Sequence, residues 1–196
     1  MRRISVSNNV TLDGVMQAPA RPDEDPRGGF VHGGWATPYF DSVMAEEAGK
    51  GMARGGAMLF GRRTYEDFAS VWSNRSADNM FANVLNSAEK YVVSRTLEEP
   101  LEWEHSTLLG GDGPRAVAEL KASAGPDLVI LGSGELIRSL MPHDLIDEFR
   151  LLIHPLVLGS GRRLFEGEAT LEKFELVDSR PTTTGVIIAT YRLANA

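Results

Sequence analysis

Cysteine is absent from the 196-residue sequence, so disulfides, thiolate nucleophiles and cysteine-ligated metals are excluded. No apolar run approaches the roughly 20 residues that span a bilayer, and the segment after Arg3 is too short and polar for a signal peptide. Basic residues number 20 against 27 acidic ones, and the formal net charge of -7 argues against a general nucleic-acid binder. No set of His, Asp and Glu has metal-ligand spacing. We therefore expect a cytoplasmic protein without a metal, with neither a membrane nor a nucleic acid as partner.

Length and composition are those of an ordinary globular chain. A chain of 196 residues suits a single domain over residues 1–196. The hydrophobic fraction of 42% and the charged fraction of 24% are typical of folded proteins rather than disordered ones. Residues 17–38 form a predicted loop, rich in proline and glycine, that is longer than most. Loops of this length tend to be lids or binding loops, so the two alternatives for this segment are a loop that closes over substrate and a long surface loop.

Apolar and amphipathic segments alternate along the chain. Alternating or wholly apolar runs predict strands at 3–12, 57–60, 90–94, 106–109, 127–131, 148–158, 174–179 and 186–193. Helical spacing predicts helices at 38–49 or 38–52, 63–72, 78–87, 114–122 and 135–140. Because strands alternate with helices until the final hairpin, we expect a three-layer α/β/α fold. Its sheet should be mixed and mostly parallel, with an antiparallel hairpin at the C-terminus.

Three of the predicted strands end in turns that are suited to an anion. These turns are Gly61-Arg62-Arg63-Thr64, Ser94-Arg95-Thr96 (after which no clear helix follows) and Gly132-Ser133-Gly134-Glu135. Ligands of open α/β sheets bind beyond the carboxyl ends of the strands, and the amides at a helix start bind anions. Glycine lets the backbone approach a phosphate, and arginine suits phosphate oxygens. Together the turns indicate a phosphate-bearing ligand, although neither a Rossmann fingerprint nor a Walker loop is present.

The same segments resemble a known family. The chain is similar to the reductase domain at the C-terminus of bifunctional riboflavin-biosynthesis deaminase–reductases (the RibD C-terminal domain), and to its relative dihydrofolate reductase. The match rests on segments in the family's order over nearly the whole chain: Thr11-Leu12-Asp13-Gly14, Leu59 through Glu66, Tyr91 through Thr96, Leu131 through Leu136, and Leu145 through Gly161. The resemblance implies a dihydrofolate reductase-like fold. The deaminase domain of those bifunctional proteins has no counterpart in this sequence.

The resemblance also implies NADPH as the cofactor. By analogy, the arginine turn would hold the pyrophosphate and part of the 2′-phosphate, and the glycine-rich turn would line the pyrophosphate. Ser94 with Arg95 would bind the 2′-phosphate and the adenosine end. Val6, Asp13 and Gly14 would lie near the nicotinamide. The full implied set of cofactor-binding residues is Val6, Gly14, Gly61, Arg62, Arg63, Thr64, Ser94, Arg95, Thr96, Gly132, Ser133, Gly134, Glu135 and Leu136. Dihydrofolate reductase carries an acid on its first helix, but spacing identifies no catalytic residue here, and the candidates are Asp13, Asp41, Glu46 and Glu47.

The function implied is an NADPH-dependent oxidoreductase. It resembles the 5-amino-6-(5-phosphoribosylamino)uracil reductase of riboflavin biosynthesis, which transfers a hydride to an imine. A carbonyl group is the alternative acceptor of the hydride. A dihydrofolate or pteridine reductase is one alternative, and a non-catalytic NADP-binding protein is another. A homodimer is expected, since the apolar strands near residues 151–158 and 186–191 could pair or stack across a two-fold axis.

Overall fold

The computed structural model describes residues 1–75, 78–167 and 171–194. Within these ranges the strands are β1 Ile4–Thr11, β2 Ala57–Gly61, β3 Lys90–Val93, β4 Ser106–Leu109, β5 Leu128–Leu131, β6 Glu148–His154, β7 Phe174–Pro181 and β8 Ile187–Leu193. The α-helices are α1 Ser42–Arg54, α2 Arg62–Trp72, α3 Met80–Ser87, α4 Gly113–Ala122 and α5 Gly134–Leu140. None of these helices is long and apolar enough to cross a membrane. The cytoplasmic location stays a prediction.

The strands form one mixed sheet in the order β4-β3-β2-β5-β1-β6-β8-β7. Strand β2 is parallel to both β3 and β5, and β3 is parallel to β4. The C-terminal strands are antiparallel, β6 with β8 and β8 with β7. The prediction of an α/β fold with a mixed, mostly parallel sheet and a C-terminal antiparallel hairpin is confirmed. The three-layer arrangement stays a prediction.

Local sequence explains why these segments adopt their conformations. Strand β2 is apolar along its first four residues, all of them buried, as expected for a strand covered on both faces. Helix α3 begins at Asn79, whose side chain accepts a hydrogen bond from the amide of Ala82. Helix α4 begins at Asp112, whose side chain accepts from the amide of Arg115, with Pro114 in the first turn. Such caps satisfy amides that lack a partner within the helix.

The chain divides into two compact units. The first unit comprises Met1–Ser5 and Lys50–Asp147, and the second comprises Val6–Gly49 and Glu148–Ala196. An aromatic core containing Phe60, Tyr65 and Trp103 fills the first unit. Smaller apolar clusters, around Trp35 and around Val186, lie in the second unit. The single domain over the whole chain stays a prediction.

Three predicted boundaries differ from the structure, at both ends of α1 and at the end of β6. Helix α1 begins at Ser42 rather than Pro38, because Pro38 lies in a separate 3₁₀ turn and Asp41 accepts a hydrogen bond from the amide of Met44. The helix also runs past both predicted ends, Gly49 and Met52, to Arg54, after which Gly55 takes a left-handed φ of 68°. The strand predicted over 148–158, with a break at Pro155, ends at that break and does not resume: β6 stops at His154, because the proline has no amide to extend a strand pairing.

Candidate cofactor site

Within the first unit, the turns expected to face phosphate all lie at the same edge of the sheet. Strands β3, β2 and β5 are neighbours, and β2 is parallel to both of the others, so their carboxyl ends point the same way. Gly61 at the end of β2 pairs with Val93 at the end of β3, so Arg62 and Ser94 follow at the same level. This is the edge at which open α/β sheets bind ligands.

Two of these turns are hydrogen-bonded to each other. The amide of Gly61 donates to the Oγ of Ser133 at 3.0 Å, and the amide of Ser133 donates to the Oγ1 of Thr64 at 3.1 Å. Both hydroxyls therefore act as acceptors, and neither hydroxyl proton has an acceptor among the described residues. Two hydroxyl donors thus remain for a ligand or water.

The backbone of the glycine-rich turn explains its composition. Gly132 has a φ of 64°, and a Cβ there would lie 3.4 Å from the methyl group of Thr64. Ser133 also adopts the left-handed region, with φ 57° and ψ 44°, at the start of α5. A left-handed residue other than glycine is uncommon, and its persistence at a strand-to-helix turn suggests a functional constraint.

The arginines of the first turn already have protein partners. Arg62 pairs with Glu66 one helical turn along α2, at 2.9 Å. Arg63 pairs with Glu135 of the glycine-rich turn, also at 2.9 Å, and about half of each side chain is exposed. No side chain among the described residues caps the start of α2, so its first amides remain available to an anion.

The turn after β3 has a different geometry. The Oγ of Ser94 accepts from the amides of Thr96 at 3.1 Å and Leu97 at 3.0 Å, which shapes a tight turn without a following helix, as the sequence indicated. Arg95 is exposed and forms no ion pair with any described residue. The hydroxyl of Ser94 therefore supports the turn, whereas Arg95 is the side chain that remains free to bind a phosphate.

Sequence reasoning missed a fourth turn at this edge. Strand β4 is parallel to β3, with Leu109 opposite Val93, so residues 110–113 follow at the same end. A Cβ on Gly113 would lie 2.7 Å from the Cγ1 of Val93, so only glycine fits there without movement of its neighbour. The signal was present in the sequence, as an apolar strand followed by Gly-Gly-Asp-Gly and a proline-initiated helix.

Most of the chain matches a known protein family. The family model described as the RibD C-terminal domain matches residues 2–188. This chain belongs to the RibD C-terminal domain family. The family predicted from the sequence motifs is therefore confirmed.

Individual relatives extend over most of the chain. The protein YyaP of Bacillus subtilis (strain 168) is 28% identical over an alignment of 198 positions. The alignment covers 97% of this chain and 94% of YyaP. A Shewanella sp. PV-4 protein, named as a candidate in riboflavin biosynthesis, has a TM-score of 0.69 at 21% identity and covers 98% of this chain and 99% of its own. Acinetobacter baumannii RibD has a TM-score of 0.63 at 16% identity, covering all of this chain and 59% of its own. At such identities these two structures show the fold.

The remaining residues predicted from the RibD resemblance lie in the second unit. Val6 belongs to the part of β1 assigned to that unit and is fully buried. Gly14 follows β1 in a turn with a φ of 79°, and its amide donates to the carbonyl of Thr11. The structure therefore places the three turns that were predicted to face phosphate in one unit, and Val6, Asp13 and Gly14 in the other.

Asp13 is held by several donors in the second unit. It accepts from the amides of Gly159 at 2.9 Å and Leu158 at 3.3 Å, and the guanidinium of Arg163 lies 3.7 Å away. The hydrogen bond from the hydroxyl of Thr11, reinforced by these amides, lowers the pKa of Asp13 below its usual value. Asp13 is therefore ionised at neutral pH and supports a turn.

Asp41 has a similar structural role at the start of α1. One of its oxygens accepts from the amide of Met44, and the other accepts from both the amide and the hydroxyl of Thr183, at 2.7 and 2.6 Å. The hydrogen bond from the Thr183 hydroxyl is the main reason that the pKa of Asp41 falls to about 2. Asp41 caps the helix and attaches it to the C-terminal hairpin.

The two glutamates of α1 share one arginine. Arg180 on β7 contacts Glu46 at 2.9 Å and Glu47 at 2.8 Å, and Arg150 on β6 contacts Glu47 at 3.1 Å. A carboxylate in such an ion pair is charged and accepts hydrogen bonds rather than donating a proton. The geometry therefore does not favour any of the four candidate acids as a proton donor.

Proposed function

We propose that this member of the RibD C-terminal domain family is an NADPH-dependent reductase. Its proposed reaction resembles that of the 5-amino-6-(5-phosphoribosylamino)uracil reductase of riboflavin biosynthesis, with hydride transfer to an imine or carbonyl carbon. The observation that carries the proposal is the pair of hydrogen-bonded turns at the carboxyl edge of β2 and β5. The names of the Shewanella and Acinetobacter proteins supply the suggested pathway.

The residues at this edge fit a dinucleotide phosphate. Two hydroxyls, on Thr64 and Ser133, have protons without an acceptor among the described residues, and the first amides of α2 are uncapped by any described side chain. Gly61 and Gly132 keep the backbone accessible in both turns. These groups would hold and orient the pyrophosphate, and the cofactor, when bound, would supply the hydride.

Arg95 supports the choice of NADPH over NADH. It is exposed, it follows the buried Ser94, and it has no ion pair among the described residues. A guanidinium in this state can bind the 2′-phosphate in two parallel hydrogen bonds without first losing a protein partner. NADH has no phosphate at that position, so the contact would distinguish the two cofactors.

A non-catalytic NADP-binding protein is the second candidate. It is favoured by the engagement of Asp13, Asp41, Glu46 and Glu47 in hydrogen bonds and ion pairs. If the protein is a reductase, the proton that accompanies the hydride would come from solvent or from a group on the substrate. The two candidates both require cofactor binding, and they differ only in turnover.

A titration with NADPH and NADH, followed by fluorescence or calorimetry, tests the cofactor proposal. We expect NADPH to bind at least about tenfold more tightly than NADH, which corresponds to about 1.4 kcal/mol. Arg95→Ala and Arg62→Ala should reduce that preference. Arg54→Ala is the matched control. Arg54 is also exposed, but it is the last residue of α1 and precedes the amino end of β2, whereas the proposed site lies at the carboxyl end of that strand.

The outcomes separate the candidates. If neither nucleotide binds, the reductase and the NADP-binding proposals both fail. If NADPH binds but is not oxidised with phosphoribosylamino-pyrimidine, pteridine or simple imine substrates, the non-catalytic candidate is supported. If Arg54→Ala reduces the preference as much as Arg95→Ala, the effect is one of overall charge, and the assignment of Arg95 is wrong.

We also propose a homodimer, although on different residues from those expected. Leu151 and Val186, in the segments predicted to pair between copies, are buried within the second unit. Strand β7, which lies at one edge of the sheet, instead exposes 56% of Leu176 and 46% of Val177. Exposed apolar residues on an edge strand favour pairing with another strand. Light scattering should show a dimer that Val177→Lys converts to a monomer, and a monomeric wild-type protein would contradict the proposal.

A further inference from the structure

One ion pair bridges the two turns of the proposed phosphate site. Arg63 is the second residue of α2 and Glu135 is the second residue of α5, so both begin helices at the same sheet edge. Their side chains meet at 2.9 Å, between residues 72 positions apart in the chain. Hydrogen bonds of Ser133 to Gly61 and Thr64 connect the same two turns. The carboxylate of Glu135 therefore lies beside the groups proposed to bind phosphate.

A carboxylate in this position has the same charge sign as the proposed ligand. It occupies the guanidinium of Arg63, and it adds a negative charge where phosphates would come to lie. The pair of Arg62 with Glu66 differs, because both of its members belong to α2. From these contacts we infer that Glu135 is the internal counterion of Arg63, and that a bound phosphate group displaces it. This inference rests on the proposed cofactor site, and it assigns Glu135 a competing role rather than a binding one.

The strength of the pair is compatible with exchange. Half of the Arg63 side chain and 56% of the Glu135 side chain are exposed, and ion pairs this exposed are weak. A phosphate group offers more acceptor oxygens to the guanidinium than a single carboxylate does, and it can bind in the same forked geometry. Glu135 would remain near the start of α5, where a negative charge is favourable, after Arg63 changes partner.

The inference predicts that Glu135→Gln strengthens cofactor binding. Because an exposed ion pair of this kind is weak, sparing the ligand its displacement should raise the affinity for NADPH by about two- to fivefold. The same variant should raise the affinity for inorganic pyrophosphate, which lacks the nicotinamide and adenosine groups. A residue that bound the cofactor directly would show the opposite sign.

A double-mutant comparison separates displacement from simple repulsion. If Glu135 acts by occupying Arg63, most of this gain should disappear when Glu135→Gln is introduced into an Arg63→Gln protein. Glu148→Gln is the matched control, because Glu148 forms a similar ion pair with Arg192 in the second unit. The control should leave NADPH affinity unchanged. Thermal unfolding of each variant, expected within a few degrees of wild type, verifies that the proteins are folded.

Each outcome has a definite meaning. If wild type binds NADPH and Glu135→Gln binds it equally or more weakly, the inference is overturned while the cofactor proposal stands. If the gain is unchanged in the Arg63→Gln background, Glu135 repels the ligand without occupying Arg63, and the displacement step is overturned. If neither wild type nor Glu135→Gln binds NADPH or pyrophosphate, the cofactor site and the inference fail together.

Discussion

A buried histidine should make the protein sensitive to mild acid. His154, at the end of β6, is fully buried and lies edge-on to the rings of Trp35 at 5.1 Å and Tyr39 at 5.4 Å. Its Nε2 forms a hydrogen bond of 2.9 Å with the side-chain oxygen of Asn9, and its Nδ1 has no partner among the described residues. Burial without a compensating charge lowers the pKa of His154 from 6.5 to about 4.

The sign and size of the effect on folding stability follow from the difference between the unfolded and folded pKa values of His154. Because the folded pKa is depressed, the unfolded chain binds the proton first, and folding stability falls as the pH drops through 6.5 towards 4. A difference of about 2.5 pKa units corresponds to about 3 kcal/mol in total. About 2 kcal/mol of this should be lost between about pH 7 and pH 5. Asp41, whose folded pKa is about 2, should add its own loss only below its unfolded value of 3.8.

Urea unfolding at the two pH values measures this loss directly. His154→Phe keeps an aromatic ring but cannot titrate, so its free energy of unfolding should change by about 2 kcal/mol less than that of wild type over the same interval. The exposed His143 provides a matched control, and His143→Gln should retain the wild-type pH dependence. The reasoning fails if wild type is equally stable at both values, or if His154→Phe retains the full loss.

Three further substitutions test two backbone positions with positive φ, Ser133 and Gly161. Ser133→Gly removes left-handed strain together with a hydroxyl, so stability should stay within about 1 kcal/mol of wild type, whereas Ser133→Ala keeps the strain and should cost about 1–2 kcal/mol. Both variants should weaken NADPH binding, and equal affinity in either would exclude a positioning role for the hydroxyl. Gly161→Ala should destabilise the second unit by about 2–4 kcal/mol, since its Cβ would lie 2.7 Å from the ring of Phe30 at a φ of 107°. Denaturant unfolding measures this loss, and a change below about 1 kcal/mol would contradict it.

The fold was predictable wherever the information is local. The apolar strands β2 and β5 and the hairpin of β7 and β8 are readable from runs and alternation of a few residues. The start of α1 was not, because Pro38 and a cap at Asp41 are both plausible starts for a helix, and the contact of Asp41 with Thr183, more than a hundred positions away, is visible only in the structure. Local patterns indicate that a helix exists more reliably than they indicate where it begins.

The site was predictable as a set of turns but not as a connected structure. Each turn carries a local signal of a strand followed by glycine or serine, and the order of the parallel strands brings the turns to one edge. The bonds from Gly61 to Ser133 and from Arg63 to Glu135 join residues 72 apart, and no local pattern contains them. The partner of Glu46, Arg180, is equally remote in sequence, so the engagement of the candidate acids could be seen only in the structure.

The division of the chain also separates the two parts of the proposed function. All of the proposed phosphate contacts belong to the first unit, whereas all four candidate acids belong to the second. Binding of the cofactor phosphates and the candidate acids therefore depend on different sets of residues, and either could be lost without the other. Because the acids are engaged by Thr183, Arg180 and the amides near Gly159, substituting them should reduce stability before it reduces cofactor affinity. A loss of activity in such a variant would indicate a role in the chemical step only if folding and NADPH binding were unchanged.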